Sequence, residues 1–116
     1  MAIHFGTGRS WGGISQHEYR RMAQDSRHQL AYRVHFAALG WADCQGHASF
    51  GPGKLAALLG KEDQPLSDQS ATNAVIRAKR LDLVSPRSGA ACLVVSPHLF
   101  QKRKGAPVPC RIHQDR

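Results

Sequence analysis

Apolar residues recur three and four positions apart between Ser15 and Gly40, which is the spacing of one face of an α-helix. Asp25 and Ser26 interrupt this region with side chains that favour helix N-termini, so the pattern predicts two helices rather than one. The apolar stripe of the second helix comprises Leu30, Val34, Ala37, Ala38 and Trp41. The basic residues lie mostly off this stripe and predict a solvated face: Arg20, Arg21, Arg27 and Arg33.

Two further helices are predicted in the middle of the chain. In GPGKLAALLG, Pro52 suits a first helical position and Gly60 suits a left-handed residue after the last turn, which bounds a helix of about two turns. The polar connector KEDQP, residues 61–65, follows this helix. Ser67 is a natural N-cap for the next one. The apolar stripe of that longer helix consists mostly of small residues: Ala71, Ala74, Val75, Ala78 and Leu81.

The hydrophobic pattern changes after Asp82. LVS at 83–85, PRSG at 86–89 and ACLVVS at 91–96 predict a strand, a basic turn and a second strand, because proline and glycine bound the turn and the last segment is rich in β-forming residues. Earlier in the chain, GHASF is too short for a helix and predicts a brief strand from Gly46 to Phe50. The expected fold class is mainly α with a small β-hairpin.

The two ends of the chain differ from its middle in composition. Residues 1–14 are rich in glycine and lack a periodic apolar pattern, which predicts a flexible arm. Residues 99–116 combine proline, glycine and charge, with five Lys and Arg against one Asp, and predict a disordered basic tail. In a chain of 116 residues, the segment 15–98 between them is long enough for one small domain.

The predicted order from Ala42 to Ser96 is short strand, short helix, connector, longer helix and hairpin. This order resembles the winged helix-turn-helix family, and KLAALLG followed by LSDQSATNAVIRAKRLDLV resembles its second helix, its capped recognition helix and the approach to its wing. The resemblance covers about half of the chain and implies a winged helix-turn-helix domain at 15–98 with an N-terminal helical extension. The chain departs from the family in a longer connector, in Asp82 where the family often has glycine, and in a short wing.

The outer face of the helix at 67–82 carries the residue types that read DNA bases. In the major groove, Asn and Gln pair with adenine, Arg pairs with guanine, and apolar groups touch the thymine methyl. The resemblance therefore implies a protein that binds double-stranded DNA sequence-specifically through this helix. The predicted base-contacting residues lie opposite the apolar stripe: Gln69, Thr72, Asn73, Ile76 and Arg77.

Basic residues around this helix are predicted to contact phosphates, which position a protein on DNA without specifying sequence. Lys54 lies at the start of the short helix, Lys79 and Arg80 lie at the C-terminal end of the longer one, and Arg87 lies at the hairpin tip. The formal net charge of +8 favours polyanionic partners. The basic cluster at 102–104 is a weaker indication, because such clusters also serve solubility.

Cysteine usage and hydropathy bear on the compartment and on metals. The three cysteines have irregular spacing, which predicts reduced thiols in the cytoplasm rather than a disulfide framework. No apolar run approaches the roughly 20 residues of a membrane span, so no membrane partner is expected. Cys44 with His47, and Cys110 with His113, have the spacing of zinc ligands, but seven histidines favour a chance pairing. No metal or other cofactor is predicted.

The sequence leaves several functions to compare. No nucleophile elbow, paired carboxylates or zinc-protease motif is present, so no enzyme is predicted. The small format resembles transcriptional regulators and accessory factors of phages, plasmids and bacteria. The alternative is a winged-helix module that binds a host protein rather than DNA, because a fold does not determine a function. A monomer and a homodimer both remain open, with 15–40 as the candidate dimerisation element.

Overall fold

The structure of the chain is a computed structural model that describes residues 3–61 and 63–102. Within these residues it contains four helices and one two-stranded antiparallel sheet, which confirms the mainly helical class with a small β component. The second helix is central, because it contacts the first, third and fourth helices and the first strand. In chain order the elements are α1 Gln16–Ala23, α2 Leu30–Trp41, β1 His47–Ser49, α3 Lys54–Leu59, α4 Asp68–Arg80 and β2 Cys92–Val94.

The predicted break between the first two helices is present, but its chemistry differs from the prediction. Gln29 is the N-cap of α2 and makes no side-chain capping bond. Asp25 instead accepts the backbone N–H of Arg27 at 3.0 Å, and its carboxylate lies 2.6 Å from Nη2 of that arginine. These contacts hold the pKa of the Asp25 carboxyl well below its usual range. The carboxylate therefore closes the turn between the helices rather than starting the second helix.

The predicted stripe of α2 forms the centre of the hydrophobic core. Val34, Ala37 and Ala38 are fully buried, and Leu30 and Trp41 pack against them at the edge. Within the described part of the chain, residues of the other helices and strands pack against this stripe.

One of the arginines expected on a solvated face is buried. Arg33 is only 4% exposed, and its Nε donates to the carbonyl oxygen of Ala23 at 2.9 Å, while Nη2 makes no hydrogen bond. Burial lowers the pKa of this guanidinium, because the charged form loses hydration. The prediction was wrong at this position, because α1 ends against α2 and its last turn offers a free carbonyl.

The sheet pairs different strands from those of the predicted hairpin. β1, the predicted brief strand, pairs with β2 in antiparallel register, His47 opposite Val94. Leu83–Ser85 does not form a strand: only Ser85 reaches β2, donating its backbone N–H to the Val94 carbonyl oxygen at 2.8 Å. The backbone N–H of Val94 is taken by the Ser88 hydroxyl at 2.9 Å. A side chain thus replaces the backbone partner that a second hairpin strand would supply.

The turn between α3 and α4 depends on close backbone packing. Gly60 was expected in the left-handed region, but its φ of −84° and ψ of −170° are extended. The chain then folds back so that the backbone N–H of Leu66 donates to the Ala56 carbonyl at 3.0 Å. The predicted N-cap of α4 is confirmed, since the Ser67 hydroxyl accepts the backbone N–H of Ser70 at 3.1 Å.

The C-terminal end of α4 is a Schellman motif with an aspartate where glycine is usual. The N–H of Leu83 donates to the Ala78 carbonyl at 2.9 Å, and the N–H of Asp82 donates to the Lys79 carbonyl at 3.1 Å. Asp82 has a φ of 58°, in the left-handed region. Leu81 was predicted on the buried stripe, but the end of the helix leaves it 50% exposed.

This motif favours the Asp82→Gly variant over an Asp82→Ala variant. We expect its free energy of unfolding to exceed that of Asp82→Ala by about 0.5–1 kcal/mol, because both variants lose the carboxylate and only glycine removes the Cβ that disfavours a positive φ. Urea unfolding followed by circular dichroism measures the difference. Equal stability of the two variants would contradict a left-handed conformation at this position.

Candidate nucleic-acid interface

α4 separates a buried apolar face from an exposed polar one. Its small residues Ala71, Ala74, Val75 and Ala78 are buried, as the stripe predicts. α4 packs through this side onto α2 and α3. The helix thereby presents its outer face to solvent over its whole length. The predicted contact residues that are exposed on it are Gln69, Thr72, Asn73, Ile76, Arg77 and Arg80, and Lys79 is half-buried.

Two of the predicted base-reading side chains are joined to each other. Nε2 of Gln69 donates to Oδ1 of Asn73 at 2.9 Å. Residues four positions apart lie one turn above each other on a helix, so the hydrogen bond runs along the exposed surface. The structure therefore brings these two amides together as a single unit.

Ile76 is a large apolar side chain on this otherwise polar face. It is 39% exposed, whereas the apolar residues on the other side of α4 are at most 5% exposed. Single exposed apolar residues are ordinary on protein surfaces, and their presence alone identifies no partner. Its neighbours Asn73 and Arg77 are what make it a candidate for contact with a base.

The cations of α4 lie in its last turn, where the helix dipole favours positive charge. Arg77, Lys79 and Arg80 take part in none of the ion pairs found among the described residues, which all surround the α1–α2 turn. Their charges are therefore not neutralised by a carboxylate within 4 Å in this part of the chain. Such cations are suited to phosphate or base contacts.

The two remaining predicted contact residues lie on other elements. Lys54 is exposed at the first position of α3. Arg87 is exposed in the loop between α4 and β2, where its backbone N–H donates to the Ser85 hydroxyl at 3.2 Å. It was expected at the tip of a two-stranded hairpin, but the loop is held by the Ser85 and Ser88 hydroxyls and by a single antiparallel bridge between Gly89 and Cys92.

The structure describes only the first of the two Cys–His pairs that have zinc-ligand spacing. Cys44 is half-buried, and His47 is buried in β1 with its Nδ1 3.7 Å from Sγ of Cys92. Cys110 and His113 lie outside the described residues. Within residues 3–61 and 63–102, no three His, Cys, Asp or Glu side chains lie close enough together to hold a metal ion. The sequence favoured a chance pairing over a zinc site, and that expectation stays a prediction.

The terminal segments meet in a groove that the sequence did not predict. The backbone N–H of His4 donates to Oε1 of Gln101 at 2.8 Å, and Phe5 packs against Trp11 with ring centroids 6.1 Å apart. Tyr19 is among the α1 and α2 residues that also line this groove. The aromatic residues of the N-terminal arm were the sequence feature that could have indicated this groove. No spacing rule relates them to residues almost a hundred positions away.

Among the described residues, none of the helices is both long enough and apolar enough to span a bilayer. Comparison of the chain with protein-family models, with curated proteins and with solved structures gives no match.

Proposed function

We propose that this chain is a non-catalytic, sequence-specific double-stranded DNA-binding protein with a winged helix-turn-helix fold. In this proposal α4 enters the major groove and reads bases, while cations on α3, on α4 and in the loop before β2 contact phosphates. The observation that carries the proposal is the outer face of α4, where amides, an isoleucine and arginines that pair with none of the described carboxylates share one exposed surface.

The order of elements supports the winged-helix part of the proposal. A strand, a short helix, a turn, a longer capped helix and a returning strand follow α2 in that order. The antiparallel pairing of β1 with β2 is compatible with a wing reduced to a loop that carries Arg87. The long connector is compatible too, because the bond from Leu66 to Ala56 returns the chain to α3 before α4 begins.

The biological setting we propose is the cytoplasm, as a transcriptional regulator or as an accessory factor of a phage or plasmid. The support for this setting is the small size, the +8 formal charge and the format of one domain with a basic tail. If the protein binds as a homodimer, its target has two half-sites about one helical turn apart, whereas a monomer needs a single short site.

A protein-interaction module is the second candidate. It is favoured by exposed apolar side chains that line the groove between the two ends of the described chain. These side chains are Trp11, Ile14 and Leu99, and none of them lies on α4. Exposed apolar surface of this kind marks contacts with other proteins when its members are contiguous. A host protein bound there would leave α4 without a function in recognition.

A mobility-shift titration of the full chain against random duplex DNA distinguishes the two candidates. We expect binding at low salt, and we expect Arg77→Ala to raise the dissociation constant about tenfold, because a bidentate arginine contact with guanine or a phosphate contact is lost. The matched control is Arg21→Ala, which removes the same charge from an exposed position on α1.

The control is expected to change the dissociation constant by less than about threefold, since charge removal at a distance acts only through screened long-range attraction. Weak binding that is insensitive to salt and equal in both variants would contradict the proposal and favour the protein-interaction candidate.

A further inference from the structure

The hydrogen bond between Gln69 and Asn73 limits which base pair α4 can read. One amide N–H of Gln69 is used on the carbonyl oxygen of Asn73. The pair then turns one amide oxygen, that of Gln69, and one amide NH₂, that of Asn73, toward a ligand. Exchanging O and N in both side chains reverses the direction of the bond but again leaves one oxygen and one NH₂.

One acceptor beside one donor is the complement of adenine. In the major groove adenine presents an N6 amino donor and an N7 acceptor, whereas guanine presents the two acceptors O6 and N7. The bonded amides therefore match adenine at both atoms and match guanine at only one. Because each amide already restrains the other, less side-chain freedom is lost when a base binds.

Ile76 extends the match to the methyl group of thymine. It lies three residues after Asn73 and seven after Gln69, so it shares their face of the helix, and it is 39% exposed. The C5 methyl of thymine is the apolar group that the major groove offers. An isoleucine beside the amide pair thus adds a second preference for an A·T pair.

Arg77 follows Asn73 by one helical turn. Four residues advance along the helix by about 6 Å, which is close to the rise of two base pairs of about 3.4 Å each. Its guanidinium is exposed and in none of the ion pairs among the described residues. Two hydrogen bonds to O6 and N7 of guanine are the contact that arginine makes best.

We propose that α4 reads an A·T pair through the bonded amides of Gln69 and Asn73 with Ile76 on the thymine methyl, and a G·C pair about two base pairs away through Arg77. This inference rests on the proposed function and adds the sequence class of the DNA. It assigns the adenine contact to two side chains acting together rather than to either one alone.

Selection of the full chain against a random duplex library provides the target, and modified bases then test the contacts. We expect an enriched motif with an A·T and a G·C pair about two positions apart. Replacing the motif adenine by 7-deazaadenine removes the N7 acceptor and should raise the dissociation constant of the natural chain about tenfold. Replacing the thymine of the same A·T pair by uracil removes one methyl and should raise the dissociation constant about threefold.

The variants assign each effect to a side chain. In Asn73→Ala the 7-deazaadenine effect should disappear, and in Ile76→Ala the uracil effect should disappear, because each contact has already been lost. Gln45→Ala removes an exposed amide on the turn before β1 and should leave both effects unchanged.

The outcomes separate this inference from the function on which it rests. An enriched motif without an A·T pair would overturn the adenine assignment while DNA binding stands. The same holds if each modified base weakens the variants as much as it weakens the natural chain, so that the two losses of affinity add. Absence of any duplex binding at low salt would overturn the proposed function and the base assignment with it.

Discussion

We expect the affinity of the full chain for duplex DNA to fall roughly 250- to 1,000-fold when potassium chloride rises from about 50 to about 200 mM. The reason is the release of counterions from the phosphates that the protein neutralises. Contact with four to six phosphates gives a slope of about −4 to −5 in a plot of log affinity against log salt. The described cations around α4 that are predicted to supply these contacts are Lys54, Lys79, Arg80 and Arg87.

One substitution links this slope to the structure. Lys79→Gln removes a half-buried cation from the last turn of α4 and should make the slope shallower by about one unit without changing the preferred motif. Arg21→Ala on α1 should leave the slope as it is. Fluorescence anisotropy at five or six salt concentrations gives the slope for each protein. Affinity that varies less than about tenfold over this range would be inconsistent with a phosphate-based interface.

Gly60→Ala is expected to lower the free energy of unfolding by about 2–3 kcal/mol. A Cβ at this position would lie 2.6 Å from Cα of Pro65 and 2.8 Å from the backbone N of Leu66, and it would also collide with the carbonyl oxygen of Gln64. These are backbone atoms of one tight turn, so they cannot move aside as a flexible side chain can. Chemical unfolding with urea measures the loss.

Gly89→Ala is the matched control. It adds the same methyl group to a loop glycine, but its Cβ would meet no heavy atom within 4 Å. We expect its stability to change by less than about 0.5 kcal/mol. Equal losses in both variants would show that the tight turn after α3 does not determine the cost.

The same turn relates stability to recognition. Its backbone contacts set where α4 begins relative to α3, and α3 carries Lys54 while α4 carries the face that we propose contacts bases. If Gly60→Ala shifts the turn without unfolding the chain, phosphate and base contacts no longer fit one duplex together. Its DNA affinity should therefore fall at temperatures where the variant is still folded.

Local rules in the sequence were sufficient to predict that the four helices exist and which face of α4 is buried, but not how every helix begins and ends. The small-residue stripe from Ala71 to Ala78 predicted the buried face of α4, and Ser67 predicted its N-cap, because spacing and capping depend on residues within one or two turns. The exposed set on the opposite face followed from the same periodicity. The mainly helical class and the short strand near His47 were likewise predictable from local pattern.

Contacts between residues in different helices, strands and loops escaped prediction. Arg33 was expected in solvent, but the end of α1 buries it. A strand was expected at 83–85, but the backbone N–H of Val94 donates to the Ser88 hydroxyl instead of to such a strand. The meeting of His4 with Gln101 had no local signal at all. In each case the deciding partner lies outside the pattern that made the prediction.

The sequence by itself determined which residues face outward on α4, since a helix of 3.6 residues per turn places them there in any fold that buries the alanines. Only the tertiary structure decided that β2 pairs with β1 and that Gly60 is needed for space rather than for a left-handed turn. Helix faces arise from neighbours within one or two turns, whereas strand pairing depends on which distant segments pack together, and the close approach at Gly60 depends on how the connector 61–65 folds back.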